Sequence, residues 1–183
     1  AYRGEEGQVA PNLLKRKFDA KRPNQKWVTD VTEFRVGGQK LYLSPILDLY
    51  NGEIIAFKTA RRPLFDMVGA MLRQAFERLR PRDKPILHSD QGWQYRMPIY
   101  RRVLNERAVK PSMSRKGNCY DNAAMESFFG TLKSEFFYLN KFNSLDELEA
   151  GIEDYIHYYN HSRIRLKLGG LSPVEYRTQT RRA

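Results

Sequence analysis

The chain is poor in cysteine and has no long run of apolar residues. Cys119 is the only cysteine among 183 residues, so an internal disulfide and a cysteine-based zinc site are both excluded. No apolar stretch is long enough to span a bilayer, and no secretory signal opens the chain. These absences favour a protein of a reducing, intracellular compartment without a membrane partner.

Acidic residues are also in short supply. The chain has 21 aspartates and glutamates against 32 lysines and arginines, which leaves a net charge of +11. Such an excess indicates a polyanionic partner, most often nucleic acid and less often an anionic membrane surface. Charge alone leaves open a basic protein with no particular partner. The 41% hydrophobic and 13% aromatic content is typical of a folded domain.

Three regions follow from the patterning. Residues 1–25 show no hydrophobic period, and we interpret them as an N-terminal arm or linker left from a longer protein. Residues 26–160 carry regular apolar patterns and are expected to form one folded core. Residues 161–183 are interpreted as a basic C-terminal tail, because glycine and proline interrupt them.

The order of elements in the core predicts an α/β fold. Residues 26–60 alternate like β-strands and contain the hairpin signal Asn51-Gly52, so they predict a three-stranded antiparallel meander. A helix, a strand, a second helix, a strand and two further helices follow. This order predicts a mixed sheet covered by helices.

Two aspartates lie where a charge is unexpected. Asp30 falls inside a strand that should be central, where a carboxylate is costly to bury unless it is paired. Asp90 ends a short buried strand, a position where α/β proteins often place ligand-binding side chains. Each also has a structural alternative: Asp30 could be satisfied by backbone donors or an arginine, and Asp90 could initiate a turn.

A helix predicted over residues 122–138 contains a third candidate acid. At about 100° per residue, Glu126 flanks the apolar stripe on a polar and basic ridge, whereas Glu135 lies about half a turn away. Asp121 precedes the helix and is interpreted as its N-cap. Helix geometry therefore favours Glu126. The ridge consists of Asn122, Glu126, Gly130 and Lys133, and the stripe of Met125, Phe129, Leu132, Phe136 and Leu139.

Three converging carboxylates indicate metal-assisted chemistry on phosphodiesters. They would repel one another strongly without a cation between them. Carboxylate oxygens suit Mg²⁺ or Mn²⁺, which also bind substrate phosphates. Two such ions can activate an attacking oxygen and stabilise the leaving oxygen of a phosphodiester.

Four sequence blocks resemble the catalytic core of bacterial insertion-sequence transposases of the DDE type. The resemblance is to the insertion-sequence-three family, which is related to retroviral integrases. Between Asp90 and Glu126 lie 35 residues, the spacing of that family's acidic triad. The blocks are WVTDVTEF, LHSDQGWQY, SRKGNCYDNAAMESFFGTLKSE and YNHSRIRLKLGGLSPVEYR.

The resemblance implies a ribonuclease-H-like fold with a five-stranded mixed sheet flanked by helices. It also implies DNA strand cleavage and strand transfer by two Mg²⁺ or Mn²⁺ ions, with Asp30 shared between the ions and Asp90 and Glu126 each binding one. The substrates would be transposon ends and target DNA, handled by a homo-oligomer in the bacterial cytoplasm, associated with the nucleoid. Two rival functions stay open: an inactive or repurposed DNA-binding protein, and a plain ribonuclease-H-like nuclease.

Several other residues are candidates for contact with DNA. Asn122 and Lys133 resemble helix positions that touch DNA in integrases, and the basic residues of the tail could bind phosphates without sequence preference. Each basic residue could equally belong to a solvated face. We interpret His88 as structural, and Trp93 and Tyr95 as core aromatics or base-stacking residues. The basic candidates in the tail are Arg163, Arg165, Lys167 and Arg177.

Overall fold

The computed structural model describes residues 7–116 and 122–182, and its centre is one mixed β-sheet. The strands are β1 Lys26–Thr29, β2 Thr32–Val36, β3 Gln39–Asp48, β4 Ile54–Ala60, β5 Ile86–Ser89 and β6 Lys110–Met113. β1 pairs in parallel with β5 and antiparallel with β3, while β5 pairs in parallel with β6. β4 pairs with the other edge of β3. The expected mixed sheet is confirmed.

β1 and β2 are the two halves of the first predicted strand. Both pair with β3 in one continuous register, which places Asp30 opposite Pro45. In a hydrogen-bonded antiparallel pair, each of two facing residues donates its backbone N–H to the carbonyl of the other, but proline has no N–H to donate. The hydroxyl of Thr29 donates instead to the Pro45 carbonyl at 2.8 Å. The ladder is therefore interrupted at Asp30, and five predicted strands appear as six.

Helices cover both faces of the sheet. They are α1 Phe65–Phe76, α2 Trp93–Arg96, α3 Pro98–Glu106, α4 Ala123–Leu132, α5 Leu145–His161 and α6 Pro173–Arg182. Side chains alternate along a strand, so Trp27 and Ile46 face a core built with α1 and α3, whereas Val28 and Leu47 face a core built with α4 and α5. No described helix combines the length and hydropathy that a bilayer-spanning segment requires.

The helix that carries Glu126 differs from its prediction at the C-terminal end. α4 ends at Leu132 and continues as a π-helical turn over Lys133–Phe137. This turn breaks the apolar stripe, so Leu139 is 74% exposed. Phe128, predicted outside the stripe, is buried and packs against Tyr159 of α5 with ring centroids 4.9 Å apart. α4 is packed between the sheet and α5, so it buries a wider face than one stripe.

The segment interpreted as a tail contains a helix packed on the core. α6 has proline at its first position, and the Ser172 hydroxyl oxygen accepts the backbone N–H of Glu175 at 3.3 Å. Ser-Pro-Val-Glu is thus a capping sequence at a helix start. Arg177 of α6 is buried and lies 3.0 Å from the carboxylate of Asp48. Residues 171–182 are therefore tied to the core by an interior ion pair.

Candidate active site

Asp30 follows the last residue of β1, in the gap between β1 and β2, and it is half-buried at the carboxyl end of that strand. Its Oδ1 accepts the backbone N–H of Val31 at 2.8 Å. Burial and, to a smaller extent, the charges of Asp90 and Glu126 together raise the pKa of Asp30 to about 6, against the opposing effect of that N–H. The three acids singled out in the sequence therefore act on one another electrostatically.

Asp90 follows the last residue of β5, the strand next to β1, so the two aspartates leave adjacent parallel strands at one edge. The backbone N–H of Gly92 donates to Asp90 Oδ1 at 2.7 Å. A Cβ at position 92 would lie 2.9 Å from that oxygen and 3.0 Å from Gln94 Oε1. A side chain at position 92 would therefore displace the Asp90 carboxylate or the Gln94 amide from this arrangement.

The two aspartates line one open cleft of about 310 Å³. Thr32, Glu33 and Gln94 also line it, together with apolar groups such as Val31 and Pro63, so its wall is about half polar. Tyr95, another lining residue, is otherwise buried and packs edge-to-face with Tyr100, ring centroids 5.4 Å apart. Core packing is thus the main role of Tyr95. Trp93 is half exposed beside the cleft, so its ring is accessible for stacking on a base.

Glu126 approaches the cleft from α4, which two side chains attach to the strand that carries Asp30. Asn122 Nδ2 donates to the carbonyl of Thr29 at 3.2 Å, and Lys133 Nζ donates to Thr32 Oγ1 at 2.9 Å. These contacts lie on either side of Asp30 in the sequence. Neither threonine was singled out from the sequence; Thr29 contributes its backbone carbonyl to these contacts and Thr32 its side chain.

The three acids are within electrostatic reach but do not form a closed cluster. Glu126 is exposed and is not part of the cleft wall that Asp30 and Asp90 share. Across residues 7–116 and 122–182, no three aspartate, glutamate, histidine or cysteine side chains lie close enough together to form a ready-made metal cage. Closing the gap between Glu126 and the aspartates requires the helix or the side chain to shift.

The other acids of the α4 region have separate places. Glu135 binds Arg163 and Tyr155, away from the cleft, which agrees with its assignment to another helix face. Asn122 stands at the N-cap of α4. Asp121, the predicted N-cap, and Cys119 lie outside the described residues.

The basic residues proposed for DNA contact differ in accessibility. Lys167 is exposed, Arg165 is half-buried beside the turn at Gly52, and Arg163 is half-buried on Glu135. Arg177 is only 5% exposed and is held by Asp48, so the expectation that it meets DNA needs revision. An arginine enclosed by acidic and amide groups has no free face for a phosphate.

His88 lies in the interior behind the site. Its ring is fully buried, and its Nδ1 lies 2.8 Å from the hydroxyl of Ser112 on β6. Phe18 meets the ring edge-on, with centroids 5.9 Å apart. These contacts agree with the structural interpretation of His88.

Two family models match the chain. Residues 20–119 match an integrase core domain, and residues 126–180 match a second integrase core domain model. Asp30 and Asp90 fall within the first match, and Glu126 is the first residue of the second.

Relatives with similar sequences come from bacteria. The chain is 61% identical over 180 residues to the protein named as transposase InsK for insertion sequence element IS150 of Escherichia coli K12, which covers 98% of this chain and 64% of InsK. It is 57% identical to an uncharacterized transposase-like protein of Haemophilus influenzae Rd, over 98% of this chain and 83% of that protein. It is 38% identical to transposase InsF for IS3A of Escherichia coli K12, over 96% and 62%. The chain thus spans less than two thirds of InsK and InsF.

Solved structures with similar folds are retroviral integrase catalytic cores. The catalytic core domain of HTLV-2 integrase, in complex with magnesium and in a trimeric form, superposes with a TM-score of 0.70 at 17% identity, covering 86% of this chain and 99% of that one. The catalytic core domain of BIV integrase gives a TM-score of 0.63 at 14% identity, covering 87% and 97%. At such identities the likeness concerns the fold, and it confirms the expected ribonuclease-H-like architecture.

Proposed function

Because this chain belongs to the integrase core domain family, together with transposases of bacterial insertion sequences, we propose that it cleaves and joins DNA strands during transposition. The resemblance stated from the four sequence blocks is confirmed by these relatives. Since the chain spans 64% of InsK, the reaction, the substrates and the partners of the whole protein all belong to the proposal.

One observation carries the assignment of the site. Asp30 and Asp90 leave adjacent parallel strands and line one cleft. Burial and the charges of Asp90 and Glu126 raise the pKa of Asp30 to about 6, which agrees with this geometry. An acid held half-buried near two others is destabilised in its charged form, which is a common condition at catalytic sites. We assign Asp30, Asp90 and Glu126 as the catalytic and metal-binding residues on this basis.

The donor set fits hard divalent cations. Three carboxylates supply only oxygen ligands, which suit Mg²⁺ or Mn²⁺, and a cation would offset the mutual repulsion that raises the pKa of Asp30. In our proposal Asp30, Asp90 and Glu126 would together hold two such ions. Bound there, the ions would polarise the attacking and leaving oxygens of a phosphodiester.

The chain's own residues position the carboxylates. The N–H groups of Val31 and Gly92 each hold one oxygen of Asp30 and Asp90, respectively. The remaining oxygen of each aspartate, which has no hydrogen-bond partner within the part of the chain described, is then available as a ligand. Asn122 and Lys133 hold the Glu126 helix against the same strand. The two aspartates are thus oriented before substrate arrives, which lowers the cost of reorganisation, whereas Glu126 has to move towards them.

The proposed reaction has two steps. Water first attacks a phosphodiester at the end of the element and frees a 3′-hydroxyl, and that hydroxyl then attacks a phosphodiester of the target DNA. Neither step needs a covalent protein intermediate. We propose Asn122, Lys133, Arg163, Arg165 and Lys167 as DNA contacts. Lys167 is more accessible than Arg163 and Arg165.

The proposal extends to the assembly and the setting. Joining two element ends to one target favours a homo-oligomer on the DNA. The bacterial relatives support a bacterial protein acting in the cytoplasm at the nucleoid.

The test uses labelled element-end DNA with Mg²⁺ or Mn²⁺, first with this chain and then with a longer protein that contains it. Metal-dependent cleavage followed by strand joining supports the proposal. Cleavage without joining would instead indicate a plain nuclease. DNA binding without cleavage by either protein would indicate a binding protein whose site is inactive.

A further inference from the structure

The N-terminal arm is attached to the core beside the site. The backbone N–H of Met113 on β6 donates to the Pro11 carbonyl at 3.2 Å, and the N–H of Leu13 donates to the Ser112 hydroxyl at 2.8 Å. Leu14 is only 2% exposed. The arm therefore follows the β6 edge of the sheet and is anchored by an apolar side chain.

A turn in this arm has an unusual composition. The N–H of Lys17 donates to the Leu14 carbonyl at 2.9 Å, and the two central residues, Lys15 and Arg16, have φ of 47° and 66°. A turn with positive φ at both central positions normally carries glycine, asparagine or aspartate. Left-handed backbone is unfavourable for a lysine or an arginine, because the Cβ atom crowds the backbone. Despite this strain, the turn places the cationic residues Lys15 and Arg16 next to each other.

The two cations line a pocket between the arm and the core. It has a volume of about 480 Å³, and Arg115 and Gln91 line it from the core side. None of its described lining residues is acidic, so three positive charges face it without a carboxylate. The side-chain amide of Gln91 is fixed by donating to the Ser114 carbonyl at 3.1 Å.

The pocket adjoins the catalytic cleft. Gln91 lies on its wall, while the neighbouring residues Asp90 and Gly92 lie on the wall of the carboxylate cleft. The two cavities therefore flank one short turn. A DNA strand whose reacting phosphate sits at the carboxylates would reach the basic pocket with a nearby phosphate of the same backbone.

We propose that the arm–core pocket binds a backbone phosphate of the DNA strand being processed, through Lys15, Arg16 and Arg115. This inference rests on the proposed function, because DNA is the substrate assumed for the cleft. The pocket holds the strand by charge and without reading its sequence. It also gives the arm a substrate-positioning role in addition to linking.

The test compares two double variants of the 183-residue chain, each made in a Glu126→Gln background without divalent metal so that binding is measured apart from catalysis. Lys15→Gln with Arg16→Gln removes the two charges that the arm contributes to the pocket. Arg82→Gln with Lys84→Gln is the matched control, because both residues are exposed before β5, at the other end of that strand from Asp90. Fluorescence anisotropy with a short mixed-sequence duplex gives Kd across a salt series.

We expect the arm variant to bind roughly ten-fold more weakly at about 0.1 M salt, with the slope of log K against log salt reduced by about 2. The control should keep the slope of its parent. Lys15→Arg with Arg16→Lys should restore binding, since it keeps the charge. An unchanged slope in the arm variant, or an equal loss in the control, overturns the pocket whether or not the protein cleaves DNA. If the unmodified protein does not cleave element-end DNA in the presence of metal, a selective loss of slope in the arm variant would reject the proposed reaction and leave the phosphate site standing.

Discussion

Arg163 binds Glu135 through two guanidinium nitrogens, with Nη2 2.7 Å from Oε1 and Nε 2.9 Å from Oε2. The hydroxyl of Tyr155 donates to the same carboxylate at 2.7 Å. Hydrogen bonding from Arg163 lowers the pKa of Glu135, whereas the exposed Glu126 lies near two other acids. Glu135 therefore joins the π-helical turn to α5, and it is the natural control for tests of Glu126.

Glu126→Gln is expected to lower metal-dependent cleavage by at least roughly 100-fold while DNA binding is kept, because one of the charged ligands is lost. Glu135→Gln should keep cleavage and lose about 1 kcal/mol or less of unfolding free energy, as a partly exposed ion pair does. Gel assays with labelled element ends and urea unfolding measure both effects. Equal loss of cleavage in a folded Glu135→Gln protein would contradict the choice of Glu126.

The metal-free protein should become less stable as pH rises through the range where Asp30 ionises. The pKa of Asp30 is about 6 in the folded chain against 3.8 as its ordinary value, so the folded state binds the proton more tightly. Its destabilising effect is absent at low pH, grows between these values, and is complete above about pH 6. After solvent screening we expect about 1–2 kcal/mol.

Asp30→Asn isolates this effect from carboxylates that titrate in the opposite sense, such as Glu135. At about pH 7 without metal the variant should unfold several degrees above the wild type, and the difference should vanish near pH 4. Mg²⁺ should raise Tm of the wild type at pH 7 and leave the variant unchanged. A variant less stable than the wild type at pH 7 would refute this account.

Arg177→Met should destabilise the protein by about 3–5 kcal/mol, because it leaves the buried carboxylate of Asp48 without its cation. Burial already raises the pKa of Asp48 against the effect of Arg177. Lys167→Met, on the exposed part of the same segment, should leave stability almost unchanged and reduce the salt slope of DNA binding by about 1. Chemical denaturation and anisotropy separate the two. A stable Arg177→Met protein with weakened DNA binding would restore its role as a DNA contact.

Gly130 lies on the ridge of Glu126 and is exposed, and a Cβ there would meet no described atom within 4 Å. Gly130→Ala should therefore add about 0.5–1 kcal/mol of stability to α4. Gly130→Lys should be similarly stable and bind DNA more tightly, because it adds a charge to the face proposed to meet the backbone. Thermal unfolding and binding titrations compare the pair. Identical DNA affinities for the two variants would place the DNA elsewhere.

Local patterns were enough to predict much of the fold and the candidate acids. Asn51-Gly52 indicated the β3–β4 hairpin, and Ser144 with Glu147 indicated the start of α5, where the Ser144 hydroxyl accepts the Glu147 N–H at 3.1 Å. Asp30 and Asp90 emerged because each interrupts an apolar strand.

The features that were missed depend on contacts between distant parts of the chain. Asp48 and Arg177 are 129 residues apart, and nothing local marks them as partners. The docking of the arm on β6 is of the same kind, since it joins Leu13 to Ser112. α6 alone had a local signal, the Ser-Pro-Val-Glu capping sequence.

Because Pro45 lies opposite Asp30, β3 holds the backbone of that aspartate less tightly. Moving a paired strand residue strains its backbone hydrogen bonds to the neighbouring strand. Pro45 has no N–H, so it donates no such bond to Asp30. Moving the peptide at Asp30 therefore costs fewer backbone hydrogen bonds, while Trp27 and Phe34 on either side are anchored in the interior. The acid that must respond to its ligands thus lies at a gap in the backbone ladder of β3.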